Sequence, residues 1–107
     1  MSDTHLFLYK IQPVRPEMLV DGPTPQEEQV IGEHFAYLED LTRKGVVFLA
    51  GRTLTTGHSS FGIVIFSAED EDGAGKVMHD DPAVQQRVMR AEFYPFRIAL
   101  LGEKPKS

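Results

Sequence analysis

Two side chains far apart in the chain have the types needed to move protons near neutral pH. His34 lies in Glu33-His34-Phe35-Ala36-Tyr37-Leu38, and Asp81 lies in His79-Asp80-Asp81-Pro82-Ala83-Val84. An imidazole gains and loses a proton close to pH 7, and a neighbouring carboxylate orients the ring for that task. Each residue also has a plain structural reading. His34 can be a core histidine satisfied by one hydrogen bond, and Asp before Pro is a common turn or cap device. Asp80 can take either part, so the sequence leaves both readings open.

Other chemistries find less support. The chain has no cysteine, which removes disulfides, thiolate nucleophiles, iron-sulfur clusters and cysteine zinc sites together. His79 and His58 read as exposed loop residues and His5 as a strand start. None of them forms a His-x-x-x-His pair or another metal spacing, so no metal or other cofactor is expected. Ser59-Ser60 lacks the flanking glycines of a nucleophile elbow. Gly73-Ala74-Gly75-Lys76 fails the phosphate-loop pattern, because Asp70 stands five before Gly75 and Val77 follows Lys76. It reads as a loosely wound helix.

The 107 residues contain eleven basic and sixteen acidic side chains, for a net charge of -5. The basic residues are scattered, so no stripe is available to neutralise a phosphate backbone and no nucleic-acid partner is expected. With 41% hydrophobic residues the composition is that of a globular protein, read as one domain over residues 1–107. Met1-Ser2-Asp3-Thr4-His5 lacks the basic and apolar regions of a signal peptide, and no apolar run approaches membrane-spanning length. No membrane association is expected, and the missing cysteines fit a cytoplasmic protein.

The elements that must position His34 and Asp81 follow from patterning. Residues 5–11, with Leu6, Phe7, Leu8, Tyr9 and Ile11, read as a strand apolar on both faces. Residues 14–23 form a stiff loop with Pro16, Pro23 and an Asp21-Gly22 turn. Thr24-Pro25-Gln26-Glu27 starts a helix with a capping box. Its apolar face is Val30, Ile31, His34, Phe35, Leu38 and Leu41, and Gly45 closes it. Residues 46–50 read as a second buried strand and 61–66 as a third. Ser67 is expected to cap a second helix through Glu69 to Asp72, a short turn to follow Pro82, and a last strand to lie within 88–101, strongest over 93–101. Pro95 places that strand at an edge or bulge, and Glu103 to Ser107 read as a frayed tail.

The order β-α-β-β-α-β is the ferredoxin-like arrangement, an antiparallel sheet with two helices on one face. The other face of the first and third strands is apolar too. A homodimer, sheet against sheet, is the expected cover.

With those features in order, the chain resembles the YciI-like, or YCII-related, family of dimeric α/β-barrel proteins over nearly its whole length. The matching residues are the opening strand, Arg15-Pro16, Glu28, His34-x-x-Tyr37-Leu38, Gly45, Gly51, Ser60-Phe61-Gly62 and Asp81-Pro82-Ala83-Val84. The resemblance implies a His-Asp site at His34 and Asp81, and enzymes such as a dehydrochlorinase of a chlorinated hydroquinone. The wider superfamily adds lactone isomerases and cofactor-free monooxygenases. Arg52 departs from the pattern, standing after Gly51 where proline is frequent, and the following connection is rich in Thr, Ser and His58.

The expected protein is therefore a small cytoplasmic enzyme with proton-transfer chemistry, lyase- or isomerase-like, on a small phenolic or lactone molecule. His34 and Asp81 are its catalytic pair, and Arg15, Tyr37 and Ser60 its candidate substrate contacts. The rival expectation is a regulatory or ligand-binding dimer that uses the same pocket without turnover.

Overall fold

The computed structural model describes residues 5–103. The leader expectation for Met1 to Thr4 and the tail expectation for residues 104–107 lie outside the described residues. β1 spans Leu6–Pro13, α1 Met18–Asp21, α2 Pro25–Arg43 and β2 Val47–Arg52. They are followed by β3 at Gly62–Ser67, α3 at Glu71–His79, α4 at Pro82–Gln85 and β4 at Met89–Phe96. The four strands form one sheet in the order β2-β3-β1-β4. Every neighbouring pair is antiparallel, and together with helices this is the ferredoxin-like α+β arrangement.

The core lies on the helix-covered face of the sheet. Phe7, Tyr9 and Ile11 alternate inward along β1, opposite Phe66, Val64 and Gly62 of β3. Leu38 of α2 and Ala74 and Met78 of α3 close over them. The ring of Tyr9 meets Phe66 edge-on with centroids 5.5 Å apart, a favoured aromatic geometry. Gly62 is where the sheet runs tightest. A Cβ there would lie 3.1 Å from Ile11 Cγ1 and 3.2 Å from the Gly51 carbonyl oxygen, so only glycine keeps this register without displacing its neighbours.

Helix α2 begins where the capping residues place it. The Thr24 hydroxyl accepts from the Glu27 amide at 3.1 Å, and the Glu27 carboxylate accepts from the Thr24 amide at 2.9 Å. Two otherwise orphaned donors are thereby satisfied. At the far end Gly45 takes a left-handed φ of 80°, the conformation that ends a helix at little cost for glycine.

Five expectations need correction, the first being the 14–23 loop, which contains the short helix α1 at Met18–Asp21. Ser67 ends β3, and the cap of α3 is Asp70, whose carboxylate accepts from the Gly73 amide at 2.8 Å. β4 stops at Phe96 rather than running to Leu101, because Phe96 pairs with Leu6, the first residue of β1. Beyond it no partner strand remains, and Leu100 and Leu101 are exposed. β2 is an edge strand whose residues after Val47 are exposed. Phe35, on the apolar face of α2, is 66% exposed. The last two corrections share a cause, since both border an open cavity rather than the packed core.

The face opposite the helices carries Leu8, Ile63, Ile65, Leu49 and Tyr94 in adjacent register positions, with Leu49 and Tyr94 exposed and Ile65 buried among its neighbours. Lys10, Glu92 and Arg90 lie on the same face toward one end. Among the described residues, no helix is long and apolar enough to cross a membrane.

Candidate active site

Asp81 sits between α3 and α4, in the last position before Pro82 starts α4. It has extended backbone, and its side chain accepts from the Ala83 amide at 2.9 Å, the N-cap interaction. Pro82 suits the first helical position because it has no amide to satisfy. The same carboxylate receives two further donors from distant parts of the chain. The Tyr9 hydroxyl donates to Oδ2 at 2.7 Å, and His34 Nδ1 approaches Oδ1 and Oδ2 at 2.8 Å each. Asp81 is fully buried at 0% exposure. A carboxylate without water is tolerable only when donors replace its hydration, and here an amide, a phenol and an imidazole do so.

The contact to Asp81 sets the state of the His34 ring. An ionised carboxylate only accepts, so the nitrogen facing it, Nδ1, carries a proton. When the ring is neutral its other nitrogen, Nε2, then bears a lone pair. Among the described residues Nε2 makes no hydrogen bond, and no buried side-chain nitrogen or oxygen is left without a partner, so Nε2 is open to the cavity that His34 lines. The histidine side chain is 13% exposed. Tyr9 stays a donor, because burial first, and then the Asp81 charge and hydrogen bond, raise its pKa far above the ordinary tyrosine value.

The cavity measures about 820 Å³ and lies between α2 and the β2, β3 and β1 strands. Ile11, Leu38, Phe61, Val64 and Met89 give it an apolar body, and His34, Thr42, Ser60 and Arg52 are among its polar residues. A cavity of this size with an apolar body and few polar groups suits a small organic molecule. Among the described residues, no three His, Asp or Glu side chains gather where they could hold a metal ion.

The structure brings His34, Asp81 and the cavity together, and it places Ser60, 4% exposed, in the lining. Arg15 is elsewhere. Its guanidinium grips Glu27 at 2.7 and 2.9 Å, and it does not line the cavity. That double contact, and then the Thr24 amide, hold the Glu27 carboxyl down at about 2. Tyr37 also lies outside the lining, donating to the Val77 carbonyl at 2.7 Å. Burial, followed by the charges of Asp80 and Asp81, pushes its hydroxyl up to about 12. Asp80 is engaged at the helix surface by Lys76 at 3.0 Å. The sequence marks Arg52 only as a departure from the family pattern and does not mark Tyr9 as a site residue. A buried tyrosine on the inner face of β1 needs a partner for its hydroxyl, which is the one signal that could have found Tyr9.

The YCII-related domain model matches residues 7–97. Among solved structures the fold is similar to a 5-chloro-2-hydroxyhydroquinone dehydrochlorinase from Burkholderia phenoliruptrix, in complex with 2,5-dihydroxybenzoquinone. That match has a TM-score of 0.65 and 23% identity, covering 86% of this chain and 93% of the other. An uncharacterized protein from Thermotoga maritima matches with a TM-score of 0.52 and 11% identity, over 87% of this chain and 96% of the other. At these identities the likeness is one of fold. No curated protein matches the chain.

Proposed function

The chain belongs to the YCII-related domain family, and from that premise we propose that it is an enzyme that transfers protons on a small organic molecule, with His34 as acid-base group and Asp81 as its orienter. The observation that carries this reading is the split of the His34 ring. Nδ1 is held by a buried carboxylate, and Nε2 is left unbonded in a ring that lines an apolar cavity. The same division of labour lets a histidine accept a proton at one nitrogen while its partner stabilises the cation formed.

In an elimination, Nε2 takes the proton from the carbon next to the one that loses its leaving group, and the bonding pair becomes the new double bond. In an isomerisation the same nitrogen returns the proton to another carbon. A lactone has an acidic carbon of the needed kind beside its carbonyl, and a phenol has one in its keto tautomer. The dehydrochlorinase of the same fold, seen with a dihydroxybenzoquinone, supports a small ring compound as the substrate proposed for this chain. Ser60 is the substrate contact retained from the sequence, while Arg15 and Tyr37 are assigned to structure. The enzyme is proposed to work in the cytoplasm as a homodimer joined through the exposed face of the sheet.

Proton exchange tests the reading. Phenols, lactones and keto acids are incubated with the full chain in deuterated water, and proton NMR follows deuterium entering carbon positions. The expected result is exchange or product formation with the wild type and its loss in His34→Gln with the fold retained. Equal rates in the two proteins would remove His34 from the chemistry.

A further inference from the structure

We propose that Arg52 and Ser60 form a carboxylate subsite in the cavity, so that its ligand is a small ring bearing a carboxylate. The proposal rests on the reading that this cavity is the substrate site, and it adds the class of molecule and the residues that select it.

The charges facing the cavity are few, and all but one are matched. His34 is joined to Asp81 at 2.8 Å. Arg43 reaches Glu39 at 3.8 Å and Asp40 at 3.6 Å. Arg52 has no carboxylate partner among the described residues. Its one hydrogen bond there is a long one, 3.4 Å, to the Thr53 carbonyl, which leaves most of its donor fork unused. Lys10 is the nearest competing cation by sequence position on the sheet, but it sits over the Phe61 ring at 5.0 Å and does not line the cavity.

Ser60 supplies an independent observation. It is 96% buried, as its exposure of 4% requires, and its hydroxyl has no partner among the described residues. No buried side-chain oxygen there is left unsatisfied, so the hydroxyl is not sealed off, and Ser60 is part of the cavity lining. The strands bring these two donors to one place. Arg52 pairs with Gly62 at the end of the β2-β3 ladder, and the Thr53 amide continues it to the Phe61 carbonyl at 2.9 Å. Ser60 is the residue next to Phe61. A planar carboxylate matches the guanidinium fork and accepts a further hydrogen bond from a hydroxyl. The apolar surface of Ile11, Leu38 and Val64, which line the same cavity as His34, accommodates a ring.

The test uses two probes of nearly equal shape, 4-hydroxybenzoate and its neutral analogue 4-hydroxybenzamide, titrated into the full chain and followed by NMR with the His34 ring resonances as a position marker. The expected result is that the carboxylate binds about five- to tenfold more tightly, the scale of one exposed charge-assisted pair. Arg52→Gln should erase that preference while changing amide affinity less than about twofold, and Arg52→Lys should retain part of it. Ser60→Ala should weaken the carboxylate more than the amide. A preference that survives Arg52→Gln, or equal affinity in the wild type with both probes shifting His34, would overturn the subsite and leave the cavity as the ligand site. Failure of both probes to shift His34 would overturn the subsite and the cavity reading together.

Discussion

The Tyr9 hydroxyl donates to Asp81 Oδ2 at 2.7 Å across 72 positions of the chain, joining the central strand of the sheet to the cap of α4. Asp81 thus serves three masters in one buried place: the α4 amide, the β1 phenol and the α2 imidazole. The helices that bear the proposed catalytic pair are thereby referenced to the sheet. A shift of either helix would break a hydrogen bond that no water replaces.

Tyr9→Phe isolates that reference. The ring and its contact with Phe66 remain, and Asp81 keeps two of its three donors. Loss of one buried hydrogen bond to a charged acceptor should cost about 1.5–3 kcal/mol, read as a lower urea midpoint at unchanged slope. Nitrogen-15 shifts of the His34 ring should move as the carboxylate gains freedom, while a role confined to packing would leave them in place.

How far these features could be read from the chain depends on the range of the interactions behind them. Helix α2 was legible because Thr24, Pro25 and Glu27 act on one another within a single turn. Asp81-Pro82 was legible as a cap for the same reason. Tyr9 as a partner of Asp81 was not, since alternation along β1 tells which face a side chain takes but not which loop meets it. The end of β4 was misread because Ile98, Ala99, Leu100 and Leu101 continue an apolar run after β1 has run out of residues to pair with. The cavity was invisible for a related reason. Phe35 is apolar at a position whose local periodicity means burial, and only the spacing of α2 from β2 leaves it at an opening.

The Arg15-Glu27 pair makes a pH dependence with a definite sign. Glu27 ionises at about 2 in the folded chain, against an ordinary value of 4.5. Its contribution to stability is present above pH 4.5 and is lost as pH falls toward about 2. Thermal melts across this window should therefore show a smaller acid-induced decline in Glu27→Gln than in the wild type. Parallel declines would mean that the pair is too well solvated to matter.

The exposed sheet face predicts association. Leu8, Ile63, Leu49 and Tyr94 share that face across four strands, with Leu49 and Tyr94 exposed, a patch that a second copy would cover. Sedimentation at micromolar concentration should give about twice the chain mass. Ile63→Asp, which places a charge in that patch, should give the monomer. A wild-type monomer would show that the face is stable in water.

Asp81 separates structure from chemistry through two substitutions. Asp81→Ala removes the α4 cap and leaves the Tyr9 hydroxyl and His34 Nδ1 without an acceptor, at about 1 kcal/mol for the cap and 1–3 for each stranded donor. A total of roughly 3–7 kcal/mol is a large part of the stability of a domain this size, so this variant is expected to unfold readily in urea. Asp81→Asn keeps the shape and one acceptor oxygen, and should cost less than half as much. Its amide nitrogen, however, donates rather than accepts, and it carries no charge to stabilise an imidazolium. Turnover on any substrate found by proton exchange should fall about a hundredfold or more, the usual scale of acid-base assistance, while the fold persists. Nitrogen-15 NMR of the neutral His34 ring should show the reason as a loss of the Nδ1-H tautomer. If Asp81→Asn keeps both the tautomer and the turnover, Asp81 serves only as a cap and a buried anchor, and His34 works without an orienting anion.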